Sequence, residues 1–384
     1  MKSTATLKIP DEIRFGDGAA AEVGKLARQF GQHIFLISDH GLENAGLVGS
    51  VRKWLQQEGL HSEEYLDVEP EPSIESVKPC LEKARRARRD VVIGLGGGSV
   101  LDVAKAVAMM LTNEGQLREY LGAERVLRRG VPSILLPTTA GTGAEVTPNA
   151  LFYIPEERAK RAIVSKHIIP TIALIDPELT MTAPPGLTAA TGLDALCHAI
   201  ESFTGLNATP LTEPFAREAI KQIASHLRHA VSNGNDLEAR NGMALGSLYA
   251  AISLANSGTN AVHALAYPLQ GLNRIEHGIA NALLLPYVMR FNSLGDTSKF
   301  AEVALLMGVS TTQLSPDEAA KAAAIACKEL SEDVGIPQHM SDVGIQEGQL
   351  EELVEGALSV QRLLKNNPRA ITREDIRSIY MEAM

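Results

Sequence analysis

Short apolar runs alternate with amphipathic stretches through the first half of this 384-residue chain, and the alternation stops near the middle. Residues 33–39, 91–95 and 133–136 read as buried strands, and residues 48–58 and 100–111 carry the spacing of helices. Strands joined through helices must run the same way, so the pattern implies a parallel sheet. Beyond Pro184 and Pro185 the strand signals fade. Helix-compatible segments follow at 187–203, 214–229, 237–255, 317–334 and 373–382. The chain therefore divides into an α/β domain over residues 1–180 and an all-helical domain over residues 181–384. No repeat or extended linker interrupts it, and residues 69–72, Glu-Pro-Glu-Pro, form a local loop.

The helical half holds four candidate metal ligands. Asp194 and His198 are four apart in a helical run, which puts an oxygen and a nitrogen donor on one face. His263 and His277 complete the set. Three imidazoles and a carboxylate suit Zn²⁺ or Fe²⁺ better than Mg²⁺ or Ca²⁺, which prefer all-oxygen shells. Any one of these histidines alone is more simply a hydrogen-bonded structural residue, and the Asp–His pair alone a helix-surface pair. The ensemble carries the argument. Cys197, one residue off the ligand face, reads as packing; Glu201, three residues past His198, is either an acceptor behind the ligands or a structural acid.

The α/β half carries two glycine loops, each after a strand. Gly96, Gly97 and Gly98 let backbone amides approach a phosphate, and Ser99 with Asp102 suggests a capping-box start to the next helix. A pyrophosphate is expected there, although a glycine triplet alone also serves as a tight turn. Residues 138–143 supply hydroxyls from Thr138, Thr139 and Thr142 for ribose, phosphate or a ring amide.

Composition bounds the rest. A hydrophobic content of 45% suffices for two cores. The net charge of −10, from 36 Lys and Arg against 46 Asp and Glu, argues against nucleic acid or an anionic membrane as partner. Three widely spaced cysteines, Cys80, Cys197 and Cys327, form neither a disulfide framework nor a zinc-knuckle spacing. The first residues lack the apolar core of a signal peptide, and no run of about 18 apolar residues occurs, so a cytoplasmic location is expected.

The motifs together, in order, are Gly96-Gly97-Gly98-Ser99 with Asp102 and Lys105; Pro137-Thr138-Thr139-Ala140-Gly141-Thr142-Gly143-Ala144-Glu145-Val146-Thr147; Asp176-Pro177; Gly192 through Glu201; His277-Gly278; and Asn367-Pro368-Arg369. With them the chain resembles, nearly end to end, the iron-containing (group III) alcohol dehydrogenases, a family that includes lactaldehyde reductase-like and 1,3-propanediol dehydrogenase-like enzymes. The resemblance implies a dehydroquinate synthase-like fold: a Rossmann-like dinucleotide domain and an all-helical metal domain. It implies a metal-dependent, NAD-linked alcohol dehydrogenase or aldehyde reductase acting on a small alcohol or aldehyde, commonly a homodimer or larger homo-oligomer. It implies Fe²⁺, or Zn²⁺, on Asp194, His198, His263 and His277, and it adds Thr147 and Lys160 to the cofactor residues. It places Asp39 at the adenosine ribose, where a carboxylate accepts from the hydroxyls and repels a 2′-phosphate, favouring NAD over NADP. Read alone, Asp39 initiates a turn before His40 and Gly41.

Two departures stand out. Many members carry a histidine four residues after the third ligand, where this chain has Tyr267, which either donates hydrogen bonds in catalysis or packs. Many carry phenylalanine nine residues before that ligand, where the smaller Leu254 is expected to widen the substrate pocket. Alternative activities within the superfamily are maleylacetate reductase-like or hydroxyacid dehydrogenase chemistry and, more distantly, a dehydroquinate synthase-like lyase. The lyase requires Lys and Arg in which the ligand segments are poor.

Overall fold

A computed structural model describes residues 4–384, and these form two compact units. One comprises Lys8–Thr139 and Gly143–Ala183; the other holds Pro184–Met384 together with Ala140–Thr142. The reading of the N-terminal segment rests partly on residues 1–3, which lie outside the described residues.

The first unit contains β1 (Glu12–Phe15), β2 (His33–Ile37), β3 (His61–Tyr65), β4 (Val91–Gly96), β5 (Gly122–Ala123), β6 (Ser133–Pro137), β7 (Asn149–Ile154), β8 (Ala159–Val164) and β9 (Ile172–Ile175). Its helices are α1 (Val23–Arg28), α2 (His40–Asn44), α3 (Leu47–Gln57), α4 (Val77–Arg85) and α5 (Gly98–Met110). Six strands form a parallel sheet in the order β1-β9-β6-β4-β2-β3. Both faces are covered, which explains why the strands read as continuous apolar runs. Successive side chains alternate between two layers: Ile34 and Leu36 join the core with α1 and α3, whereas Phe35 and Ile37 join the core with α4 and α5.

A second sheet, β5-β8-β7, was not evident from the sequence. Its antiparallel pair β7 and β8 buries Ala150, Phe152 and Ile154. The partner strand carries Lys160 and Arg161, and that polarity dilutes the strand signal.

The helical unit runs through α6 (Pro185–Thr204), α7 (Glu213–Ser232), α8 (Leu237–Ser257), α9 (Ala261–Asn273), α10 (His277–Asn292), α11 (Thr297–Leu306), α12 (Pro316–Asp333), α13 (Leu350–Ser359), α14 (Gln361–Leu364) and α15 (Arg373–Ala383). Buried nearly all round, α6 packs on α7, α8 and α10. Helices α9 and α10 continue through Pro268 and Pro286, residues that normally end a helix. Among the described residues, no helix is long and apolar enough to cross a membrane.

Candidate metal centre and nucleotide-binding residues

Three helices of the helical unit converge on Asp194. On α6, Asp194, His198 and Glu201 fall at i, i+4 and i+7, one buried stripe. His263 sits in the first turn of α9, and His277 is the first residue of α10. The Nε2 atoms of His198, His263 and His277 lie 3.6, 3.8 and 3.6 Å from Asp194 Oδ1. All four donor atoms fall within 4.8 Å of one another. Four donors arranged tetrahedrally about 2.1 Å from a central ion stand about 3.4 Å apart, so the spacing fits a transition-metal centre.

The outward ring nitrogens explain why Nε2 faces inward. His263 Nδ1 is paired with the buried carboxylate of Glu201. The other oxygen of Glu201 accepts from the amides of Asn260 and Val262 at 3.0 and 2.7 Å, so the same acid caps the start of α9. Thus Glu201 is both a structural acid at the start of α9 and the acceptor behind His263. His277 Nδ1 lies 3.0 Å from Gln270 Oε1. His198 Nδ1 has no hydrogen bond of ordinary geometry, though the Gly141 backbone close by favours its protonated form.

Asn281, one turn along α10 from His277, was missed by sequence reasoning. Its amide donates to Asp194 Oδ1 at 2.8 Å, and the same nitrogen is 3.2 Å from Nε2 of both His263 and His277. Its buried Oδ1 has no hydrogen-bond partner. A carboxylate and three imidazole lone pairs aimed at one point repel one another unless positive charge lies among them, which is what a cation supplies. The residues therefore fit the metal. Burial alone would raise the Asp194 carboxyl, but His198, His277, His263 and the Asn281 amide outweigh it and hold it at about 2. Burial lowers His198, against Asp194. Burial also opposes protonation of His263, yet Glu201 and Asp194 prevail and raise it.

Tyr267 lies one turn past His263. Its ring is edge-on to His263 and stacked with His277, centroids 6.3 Å apart in each case. Burial, aided by Glu201 and Asp194 and opposed by Arg362, pushes its hydroxyl up to about 12. Cys197 is fully buried, and burial pushes its thiol well up, as suits a packing role.

In the α/β unit Asp39, Gly96, Gly97, Gly98, Thr138 and Thr139 lie at the carboxyl ends of β2, β4 and β6, the end where open α/β sheets bind ligands. The Thr138 amide donates to the Gly96 carbonyl at 3.0 Å, bringing the two loops together. Helix α5 starts at Gly98 with Gly97 as N-cap and no side-chain cap. The expected capping box is absent, because Ser99 lies inside the first turn rather than before it. Ser99 Oγ instead accepts from the Glu71 amide at 3.1 Å, and Asp102 accepts from the Leu151 amide at 2.9 Å. At Gly97 a Cβ would sit in ordinary contact with the Thr139 side chain, 3.6 Å away, so the second loop packs directly against the first. At Gly96, by contrast, a Cβ would come within 2.5 Å of Val100.

Beneath the loop, buried Lys105 contacts Asp102 at 3.1 Å, Thr147 at 3.5 Å and the Asn149 carbonyl. Asp102 and Thr147, both buried, thus contact this lysine. Nearby Glu145 is buried, which pushes its carboxyl up to about 7 against Lys105. Asp39 caps α2, one oxygen accepting from the Leu42 amide at 3.0 Å. Lys160 reaches the loop through an ion pair with Glu71. Thr142 lies in the Ala140–Thr142 stretch that clusters with the helical unit.

Residues 10–177 match the family described as iron-containing alcohol dehydrogenase, and residues 188–384 match the C-terminal part of the Fe-containing alcohol dehydrogenase family. The chain belongs to the iron-containing alcohol dehydrogenase family. It is 39% identical over 385 residues to long-chain-alcohol dehydrogenase 1 of Geobacillus thermodenitrificans (strain NG80-2), covering 99% of this chain and 97% of that one. A crystal structure of 1,3-propanediol oxidoreductase superposes with a TM-score of 0.96 at 37% identity, covering 99% and 100% of the two chains. A sulfoacetaldehyde reductase from Bifidobacterium kashiwanohense, solved in complex with NAD⁺, gives a TM-score of 0.89 at 30% identity over 99% and 98%. The protein is accordingly an oxidoreductase of the alcohol dehydrogenase type, with a Rossmann-like parallel-sheet unit and a helical unit.

Proposed function

We propose that this chain interconverts a small alcohol and its aldehyde using NAD(H) and an iron centre held by Asp194, His198, His263 and His277. The observation that carries the proposal is the convergence of four donor atoms within 4.8 Å, oriented from behind by Glu201 and Gln270. When bound, the metal polarises the substrate oxygen as a Lewis acid while the nicotinamide exchanges hydride with the attached carbon. The chain's own residues prepare these events. Glu201 keeps the His263 proton on Nδ1, and Asn281 holds the Asp194 carboxylate. Tyr267, held protonated, presents a hydrogen-bond donor beside His263 and His277.

For the dinucleotide, Gly96, Gly97 and Gly98 offer backbone amides to the pyrophosphate, with Ser99 and Lys160 beside them. Thr138, Thr139, Thr142 and Thr147 belong to the proposed cofactor segment, with Asp102 bracing Lys105 below. The second oxygen of Asp39 is proposed to receive the ribose hydroxyls. Buried thiols at Cys80, Cys197 and Cys327 support a reducing, cytoplasmic setting, and a homodimer is the proposed assembly. Metal-reconstituted protein, assayed at the reduced-nicotinamide absorbance band with a panel of small alcohols, aldehydes, maleylacetate and hydroxyacids, is expected to turn over alcohols or aldehydes and to stop on chelation. Turnover of the acids alone would replace this reading with its superfamily alternative.

A further inference from the structure

The loop at residues 69–72 carries an unusual residue. Glu71 has φ +52°, one of the few non-glycine residues in the left-handed region, and it precedes Pro72, which further restricts its backbone. A conformation of this kind persists only where its surroundings enforce it. Three contacts do so. The Glu71 amide donates to Ser99 Oγ at 3.1 Å, the Tyr153 amide donates to the Pro72 carbonyl at 3.0 Å, and the Ile74 amide donates to the Tyr153 carbonyl at 3.1 Å. Tyr153 stands opposite Lys160 in the β7–β8 register, so the hairpin that anchors the loop also presents the lysine to it. The Glu71 carboxylate then forms an ion pair with Lys160, whose side chain is only 14% exposed.

Glu71 therefore touches Ser99 through its amide and Lys160 through its carboxylate, the two side chains assigned above to the dinucleotide phosphates. We propose that Glu71 sets the rate of cofactor release: its carboxylate competes with the pyrophosphate for Lys160 and repels it, so that bound NAD(H) is held less tightly and leaves faster. The inference rests on the reading that Lys160 and Ser99 lie in the dinucleotide site. The physics is that of one anion displacing another from a single ammonium group, with added like-charge repulsion at short range. The anchored backbone fixes where the Glu71 side chain starts, and the ion pair with Lys160 holds its half-exposed carboxylate beside the ammonium group.

The test uses the full-length, metal-loaded enzyme, with NADH binding followed by fluorescence and its dissociation by stopped-flow displacement. ADP-ribose, which has the pyrophosphate without the nicotinamide, serves as a second probe. Glu71→Gln keeps the shape and removes the charge, so it is expected to tighten both ligands by about tenfold, chiefly through slower dissociation. Lys160→Met is expected to weaken both by about tenfold, and in that background Glu71→Gln should yield a smaller gain, since no ammonium remains to be released. If Lys160→Met weakens binding but Glu71→Gln leaves it unchanged or weaker, competition is overturned while the cofactor site stands. If Lys160→Met leaves NADH affinity within about twofold of wild type, Lys160 lies outside the site and the inference falls with that assignment. Melting temperatures of both variants without cofactor confirm that each is folded.

Discussion

With its hydroxyl pushed up to about 12, Tyr267 stays protonated at neutral pH and can donate a hydrogen bond but not accept a proton. The Tyr267→Phe enzyme is therefore expected to retain turnover within about tenfold of wild type, the low edge of general acid–base effects. A loss of about a thousandfold, with metal and NAD binding intact, would make the phenol an obligatory relay. Asp39 is proposed to combine two roles at one residue. One oxygen caps α2, and the other is assigned to the ribose. Replacing it by Gly removes the repulsion of a 2′-phosphate and should move kcat/KM toward NADP by about 1–3 kcal/mol, roughly 5- to 150-fold in the ratio. Because the cap is lost too, a small fall in melting temperature should accompany the switch. An unchanged cofactor ratio would leave Asp39 with the cap alone.

At the scale of elements, the metal centre depends on how closely α10 approaches α6. A Cβ on Gly278 would fall 2.3 Å from the Ala190 carbonyl oxygen and 2.7 Å from its carbon, both backbone atoms that cannot swing aside. Gly278→Ala must therefore move the start of α10, and His277 with it, away from Asp194 and His198. The expected cost is about 1–3 kcal/mol of stability, the range for overpacking, together with weaker metal binding. Thermal unfolding and a metal titration by competing chelator read the two effects separately. Full stability with unweakened metal binding would mean that α6 and α10 tolerate separation. The same interface explains why a glycine directly follows His277 in the sequence: the side chain that faces Asp194 and the backbone that packs on α6 are neighbours.

For the whole molecule, metal loading should depend on pH through His263. Its pKa is raised, since Glu201 and Asp194 overcome the opposing effect of burial. In the metal-free protein this raised value contributes stability below the ordinary imidazole pKa, and that contribution is lost as pH rises through the folded value. Metal binding has the opposite requirement, because the ring must surrender its Nε2 proton. Affinity is therefore expected to climb about tenfold per pH unit up to the raised pKa of His263 and then level off. Asp194, held at about 2, is ionised throughout that range and adds no slope. Glu201→Gln should move the levelling point to lower pH and weaken binding about 10- to 100-fold, because the ring loses both its charge partner and its orientation. Chelator titrations with Co²⁺ between about pH 5.5 and 8.5 follow both effects. A pH-independent affinity in the wild-type protein would remove His263 from the ligand set.

By itself the sequence determined the features that depend on local order. Short continuous apolar runs at residues 33–39, 91–95 and 133–136 became sheet strands, and the i, i+4 spacing of Asp194 and His198 already placed two donors on one helix face. His263 and His277 entered as candidate ligands from their residue type and the family resemblance, and the glycine loops from their place after strands. Tertiary structure decided what sequence distance hides. Helices α9 and α10 continue through their internal prolines, and the packing of their first turns against α6 brings His263 and His277 to Asp194. Asn281 lies 87 residues from Asp194 in the chain, yet its amide contacts it directly. Ser99 looked like a helix cap and proved to be an acceptor for Glu71, 28 residues earlier. Local spacing governs which way a side chain faces on its own element; which distant group it meets follows from how the elements pack, and no period in the sequence records that.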